Sequence, residues 1–221
     1  MKRHIEEEIF LLKEQVLFMG SLAEEMILLT IKIFIERNDT IAKEVFEREE
    51  KVNKLQMEID EVGVKILALY QPEATDLRTI LAATKINSEL ERVADQTVNI
   101  AQTCAYHLLK ETPVPSLTEI PRMSSIAQEM IRKSLDAFSK RDTNLANSVL
   151  EKDEELDTLK SNVFNQIIGL IKKNPEKAKS FIDLMLISKN LEKIGDHATN
   201  ISEDVIFMVM GKDIRHHAPV K

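Results

Sequence analysis

From Ile5 the apolar residues recur in alternating steps of four and three. They run Ile5, Ile9, Leu12, Val16, Met19, Ala23 and Met26, then Ile33 after Thr30. That rhythm predicts one long amphipathic helix with a coiled-coil-like seam. It stops at Arg37-Asn38-Asp39-Thr40, where Asp39 is the expected cap of a new helix. The seam resumes as Val45, Val52, Leu55, Ile59, Val62, Ile66 and Leu69 and ends at Gln71-Pro72. A third helix is expected from about Thr75 to about Leu109. The segment Thr112-Pro113-Val114-Pro115-Ser116 is the richest in helix breakers and marks a boundary. Beyond it the pattern restarts, with helix four over Ser124 to about Lys140 and helix five beginning at Asp142. Asn174-Pro175 then places an N-cap before a proline at the start of helix six.

The two halves repeat. Ala23-Glu24-Glu25-Met26-Ile27 recurs as Ala127-Gln128-Glu129-Met130-Ile131, a shift of 127 − 23 = 104. At that shift Phe34 meets Phe138, Arg37 meets Arg141, and Val45-Phe46-Glu47 meets Val149-Leu150-Glu151. In the third helices the shift is 192 − 91 = 101, so Leu90-Glu91-Arg92-Val93-Ala94-Asp95 matches Leu191-Glu192-Lys193-Ile194-Gly195-Asp196. The expected fold is all-α: two tandem homologous three-helix bundles with internal pseudo-symmetry. Their expected bounds are a first unit over residues 1–112, a linker over 113–121 and a second unit over 122–221.

Within the repeat, oxygen-bearing residues are spaced by four: Glu91, Asp95 and Asn99 in the first unit, Glu192, Asp196 and Asn200 in the second. That spacing stacks them along one helix face. The preceding helices add Glu49 with Asn53 and, at the shift of 104, Asp153 with Asp157. Two antiparallel helices with such stripes make an oxygen-rich groove suited to hard or borderline divalent metals. Glu91 and Asp95 lie roughly 100° and 140° around the helix from Leu90, at the centre of the apolar face, so the stripe is expected to face outward. A solvated charged face is the plain alternative. It leaves the recurrence of the motif in both units unexplained.

Composition narrows the function classes. Among 221 residues there are five Gly, six Pro, no Trp and two Tyr, too few turn formers and aromatics for a β-sandwich or barrel. Thirty basic and 37 acidic residues give a net charge of −7, which disfavours nucleic acid as the main partner. The single Cys104 excludes an internal disulfide and a cysteine-based zinc site, and its place on the apolar face predicts a buried hydrophobe. The start, Met1-Lys2-Arg3-His4-Ile5-Glu6-Glu7-Glu8, turns acidic where a signal peptide would turn apolar, and a cytoplasmic protein is expected. Val205 to Met210 is too short for a membrane span and is expected to pack in the core or dock a partner helix. No GxSxG, glycine-rich phosphate loop or HExxH is present, so an enzyme is not expected. None of the histidines at 4, 107, 197, 216 and 217 follows a Glu by three positions, which disfavours a ferritin-like di-iron plan. His197 is expected at the surface, and His216 and His217 in the tail.

At Leu90–Asp95 and at Leu191-Glu192-Lys193-Ile194-Gly195-Asp196-His197-Ala198-Thr199-Asn200-Ile201 the chain resembles the PhoU family of bacterial phosphate-transport accessory proteins. The same pattern appears in Gln71-Pro72…Thr75-Asp76-Leu77-Arg78 and in Gly211-Lys212-Asp213-Ile214-Arg215-His216. The resemblance implies a non-catalytic negative regulator of the phosphate response and of phosphate uptake. Such a protein is an adaptor between the phosphate ABC transporter, through its ATPase subunit, and a sensor histidine kinase. The resemblance further implies surface iron or zinc clusters held by E(D)xxxD motifs, which map onto Glu91 with Asp95 and Glu192 with Asp196. Asp153 with Asp157 carries over as well, and Glu49 with Asn53 carries over less closely, because Asn is a neutral ligand. Ala94 departs from the family pattern, which prefers the Gly found at Gly195. A homodimer is expected from the long amphipathic helices with Met-rich apolar runs. The runner-up reading is a metal-storing or redox carboxylate helical-bundle protein.

Overall fold

The seam that begins at Ile5 folds as one helix, α1, Lys2–Glu36. A computed structural model describes residues 2–111, 113 and 117–214; Thr112, residues 114–116 of the boundary segment, and the tail from Arg215 with His216 and His217 lie outside the described residues. Then come α2 (Ala42–Tyr70), α3 (Ala74–Gln102), α4 (Glu119–Lys140), α5 (Thr143–Lys173) and α6 (Ala178–Met210). No strand occurs among the described residues.

The repeat is visible in the way the helices end. α1 closes on Arg37 and α4 on Arg141, matching positions that both take the left-handed conformation, at φ 51° and 55°. The next residue of each half caps the following element. Asn38 Oδ1 accepts from Thr40 N at 3.1 Å, and Asp142 Oδ1 accepts from Asn144 N at 2.9 Å and Leu145 N at 3.1 Å. Asn38, and not the expected Asp39, is thus the capping side chain here: it caps a short 3₁₀ turn, Asp39–Ile41, that leads into α2, and Asp39 is the first residue of that turn. Asn174 does not cap through its side chain either; its amide turns back to Leu170 O at 3.4 Å. α4 begins at Glu119, five residues before the expected Ser124, and takes in Pro121 near its start, where a missing N–H costs no helical bond. α3 gives way at Thr103 to a single π-turn, Thr103–His107, and a 3₁₀ turn, Leu108–Lys110, whereas α6 stays α-helical to Met210.

α1–α3 form one three-helix unit and α4–α6 the other, and the units pack side by side through α3 on α6 and α1 on α4. The two seams merge there into one hydrophobic core running from Ile5 to Met208. Polar ties cross the junction: Arg141 Nη1 donates to Thr79 Oγ1 at 3.1 Å, and Lys85 pairs with Asp204 Oδ1 at 2.9 Å. Leu90, Val93, Ala94, Thr97, Ala101 and Cys104 are all buried, as their spacing predicts. Burial pushes the Cys104 thiol up to about 12, so it stays a protonated hydrophobe. Val205, Ile206 and Met208 are core residues. No helix among the described residues is long and apolar enough to cross a membrane.

Candidate metal centre

The acidic stripes meet in pairs, one groove per unit. Each groove forms because the apolar seams of two antiparallel helices face the core and leave the flanking turns at its rim. In the second unit Asp153 and Asp157 of α5 lie close enough to Glu192 and Asp196 of α6 for the four charges to act on Asp153 and Asp196. Burial first, then the neighbouring charges of Asp157, Asp196 and Glu192, push the Asp153 carboxyl up to about 6. Burial, Glu192 and Asp157 likewise raise Asp196. In the first unit burial, Asp95 and Glu49 raise Glu91, and Asn53 Nδ2 donates to Glu49 Oε1 at 2.6 Å. The grooves are open on one side only. Asp95, Asp157 and Asp196 are exposed, as the outward geometry predicts, while Glu49, Asn53, Glu91, Asp153 and Glu192 are half-buried under the opposing helix.

Two residues that the spacing does not reveal complete the picture. Lys160, one turn beyond Asp157, donates to Glu192 Oε1 at 2.6 Å and stands 4.0 Å from Asp157. It supplies positive charge inside the second groove, and the bond to Glu192 raises its own pKa. At the shift of 104 the first unit has Gln56 there, without a charge. The other is Glu89, on the inner side of α3. Its Oε2 meets His197 Nδ1 at 2.8 Å and accepts from Asn200 Nδ2 at 3.0 Å. Burial pushes the Glu89 carboxyl up, but the bonds from His197 and Asn200 outweigh it and hold the group below the usual range. His197 is thus no free surface histidine: its side chain is 13% exposed and ties α6 to α3. Asn200 is turned toward that tie and away from the carboxylates, while Asn99 is exposed one turn beyond Asp95. Glu89 corresponds to Asn190 in the second half, so the repeat carries no signal for it.

Gly195 belongs to the same geometry. A Cβ there would run into Leu156 Cδ2, with Asp153 Oδ1 at 3.5 Å and Met130 Cε at 3.6 Å. The first half has Ala94 and Val52 at the matching positions, so one methyl has moved from one partner to the other. Leu156 is fully buried and has little room to turn away. We expect Gly195→Ala to lower thermal stability by about 1 kcal/mol, because overpacking outweighs the gain of about 1 kcal/mol in helix propensity. Adding Leu156→Val should recover it; a stabilised Gly195→Ala single variant would show the contact to be loose.

The donor sets are carboxylates and amide oxygens crowded with too little balancing cation, and that chemistry fits a hard or borderline divalent ion. Among the described residues no three His, Cys, Asp or Glu side chains already stand where one ion could bind them.

Two PhoU domains match the chain, over residues 16–104 and 120–205, one per three-helix unit. A Zymomonas mobilis protein described as a phosphate-specific transport system accessory protein PhoU homolog is 38% identical over 198 residues, covering 89% of this chain and 82% of that one. A Caulobacter vibrioides protein of the same description is 34% identical, covering 96% and 93%. The crystal structure of PhoU from Pseudomonas aeruginosa superposes with a TM-score of 0.90 at 31% identity, over 94% of this chain and 99% of that one. With its paired domains, its repeated acidic grooves and relatives aligned along nearly its whole length, this chain belongs to the PhoU family.

Proposed function

We propose that the protein is a non-catalytic cytoplasmic regulator of phosphate uptake and of the phosphate response, acting negatively when phosphate is plentiful. It works as an adaptor between the ATPase subunit of a phosphate ABC transporter and a sensor histidine kinase, as a homodimer. The observation that carries this reading is the alignment, over 89% and 96% of the chain, with relatives described as phosphate-specific transport system accessory proteins. Docking favours one state of the partner, and the shift is bounded by the difference in affinity for its two states.

The grooves fit iron or zinc in this reading. Glu49, Asn53, Glu91 and Asp95, with Asn99 on the next turn, would hold metal in the first unit; Asp153, Asp157, Glu192 and Asp196 would hold it in the second. Bound metal would neutralise the carboxylates and bridge the paired helices, α2 to α3 and α5 to α6. The four carboxylates of the second groove against two in the α3 stripe and one in α2 of the first make the second the richer anionic donor set.

A single capture experiment tests both parts. Tagged protein is recovered from phosphate-replete cells, the eluate is probed for the transporter ATPase and the kinase, and metal is measured by plasma mass spectrometry after tag removal. We expect both partners, and iron or zinc at more than one atom per chain. Glu91→Ala/Asp95→Ala and Glu192→Ala/Asp196→Ala should each lose bound metal with helicity nearly unchanged, since Asp95 and Asp196 are exposed and Glu91 and Glu192 are half-buried outside the apolar core. Absence of both partners at full recovery would sink the adaptor reading, and metal-free wild-type protein would return the stripes to a solvated face. Ferrous-iron oxidation with turnover would favour a redox protein instead.

A further inference from the structure

Next to the acidic cluster of the second unit, α5 and α6 part to leave a groove of about 690 Å³. Phe164 and Met185 form an apolar wall, Ser161 and Asn165 offer neutral polar groups, and Lys189 and Lys193 reach in from α6. Glu192 and Asp196 stand at one end, where Glu192 engages the Lys160 ammonium. Lys189 and Lys193 make no hydrogen bond or ion pair among the described residues. The volume is that of a small-molecule site, and an apolar wall beside a few converging polar groups is how such sites are built.

The internal repeat supplies a control. At the matching positions of the first unit, Asn87 stands where the second has Ser188, and its Nδ2 crosses to α2, donating to Gln56 O at 3.0 Å and Asp60 Oδ1 at 2.9 Å. Gly63 stands where the second unit has the buried Ile167, and a Cβ there would fall 2.7 Å from the Thr84 methyl, which would have to shift. Asn87 thus ties α3 to α2 at this level of the first unit, whose position matching Phe164 is Asp60 and whose position matching Lys189 is Ser88. In the second unit the stapling Asn is absent, a branched side chain fills the glycine's place, and an aromatic face and an extra ammonium line the opening. Each of these differences opens the groove or makes it attract an anion with an apolar body.

We propose that this groove between α5 and α6 binds an organic anion, with a planar or apolar body against Phe164 and Met185 and its charged group between Lys189 and Lys193. Ammonium groups without a partner among the described residues gain most from such an anion, and the phenyl face gains most from a flat body. The acidic end repels the charged group and so orients the ligand. The inference does not depend on metal occupancy of the neighbouring cluster.

Isothermal titration calorimetry of the full chain in EDTA tests it, with adenosine 5′-diphosphate, 1-anilinonaphthalene-8-sulfonate and inorganic phosphate as probes. We expect saturable binding of at least one of the two organic anions at one per chain, and at least tenfold weaker binding of inorganic phosphate. Lys189→Ala/Lys193→Ala should weaken the organic anion at least tenfold, and Phe164→Ala about threefold or more, with unchanged circular dichroism. Both substitutions alter side chains at the groove mouth, so folding is not at stake. Binding of neither organic anion, equal binding of inorganic phosphate, or affinity unchanged in the lysine variant would each overturn the proposal. If the organic anion binds while the partners of the adaptor reading are absent, the groove stands without that reading.

Discussion

Leu191→Ala should destabilise the whole chain by about 2–5 kcal/mol, the cost of a cavity in a core that cannot collapse around it. Leu191 is 1% exposed and sits on α6, the helix that packs against α3, α4 and α5 together. Because the two three-helix units share one apolar core, the loss should not stay in the second unit. Urea unfolding followed by hydrogen exchange with mass spectrometry checks this. Exchange through global opening should speed up in α1–α3 as well as in α4–α6, in a single transition. Faster exchange confined to α4–α6 would mean that the halves unfold separately and that the junction of α3 with α6 is only a docking contact.

The second large effect is electrostatic. In metal-free protein at pH 7, Asp153→Asn should be more stable than the wild type by about 1 kcal/mol, a figure reduced for the partial exposure of the site. The sign follows from the proton balance. Asp153 is raised from 3.8 to about 6 by burial and by Asp157, Asp196 and Glu192. The folded chain therefore keeps a proton that the unfolded chain loses, and stability falls as pH rises from about 4 to about 6. Asparagine carries no such cost, so the advantage of the variant should be small at pH 4 and complete by pH 7. Thermal unfolding in EDTA across that range measures it, and an advantage independent of pH would remove the carboxylate crowding from the account. On the proposed metal-binding reading, saturating zinc should reverse the order, because a ligand that binds only the folded chain stabilises it.

Much of the fold was legible because helical periodicity is local. The steps of three and four from Ile5 to Ile33, the matching arginines at 37 and 141, and the recurrence of Leu90–Asp95 at Leu191–Asp196 needed no tertiary information. Caps were harder to place. Asn38 and Asp39 are both good capping residues, and only the backbone path decides which one is non-helical. The candidate ligands were readable for the same reason as the helices, since a spacing of four fixes a shared face. The partners across a groove were not, because Lys160 meets Glu192 over a separation of 32 residues and Glu89 meets His197 over 108.

By itself the sequence determined six amphipathic helices, their duplication into two units, and an acidic stripe on the same face of each half, all consequences of a side-chain period set by the backbone. The tertiary structure decided which stripes face each other, that the two units share one core, that His197 and Asn200 are drawn to Glu89, and that α5 and α6 part into a groove walled by Phe164 and Met185. Those outcomes depend on contacts between facing helices, such as Thr84 on Gly63 and Asn87 on Asp60, which exist only when the facing helix is in place.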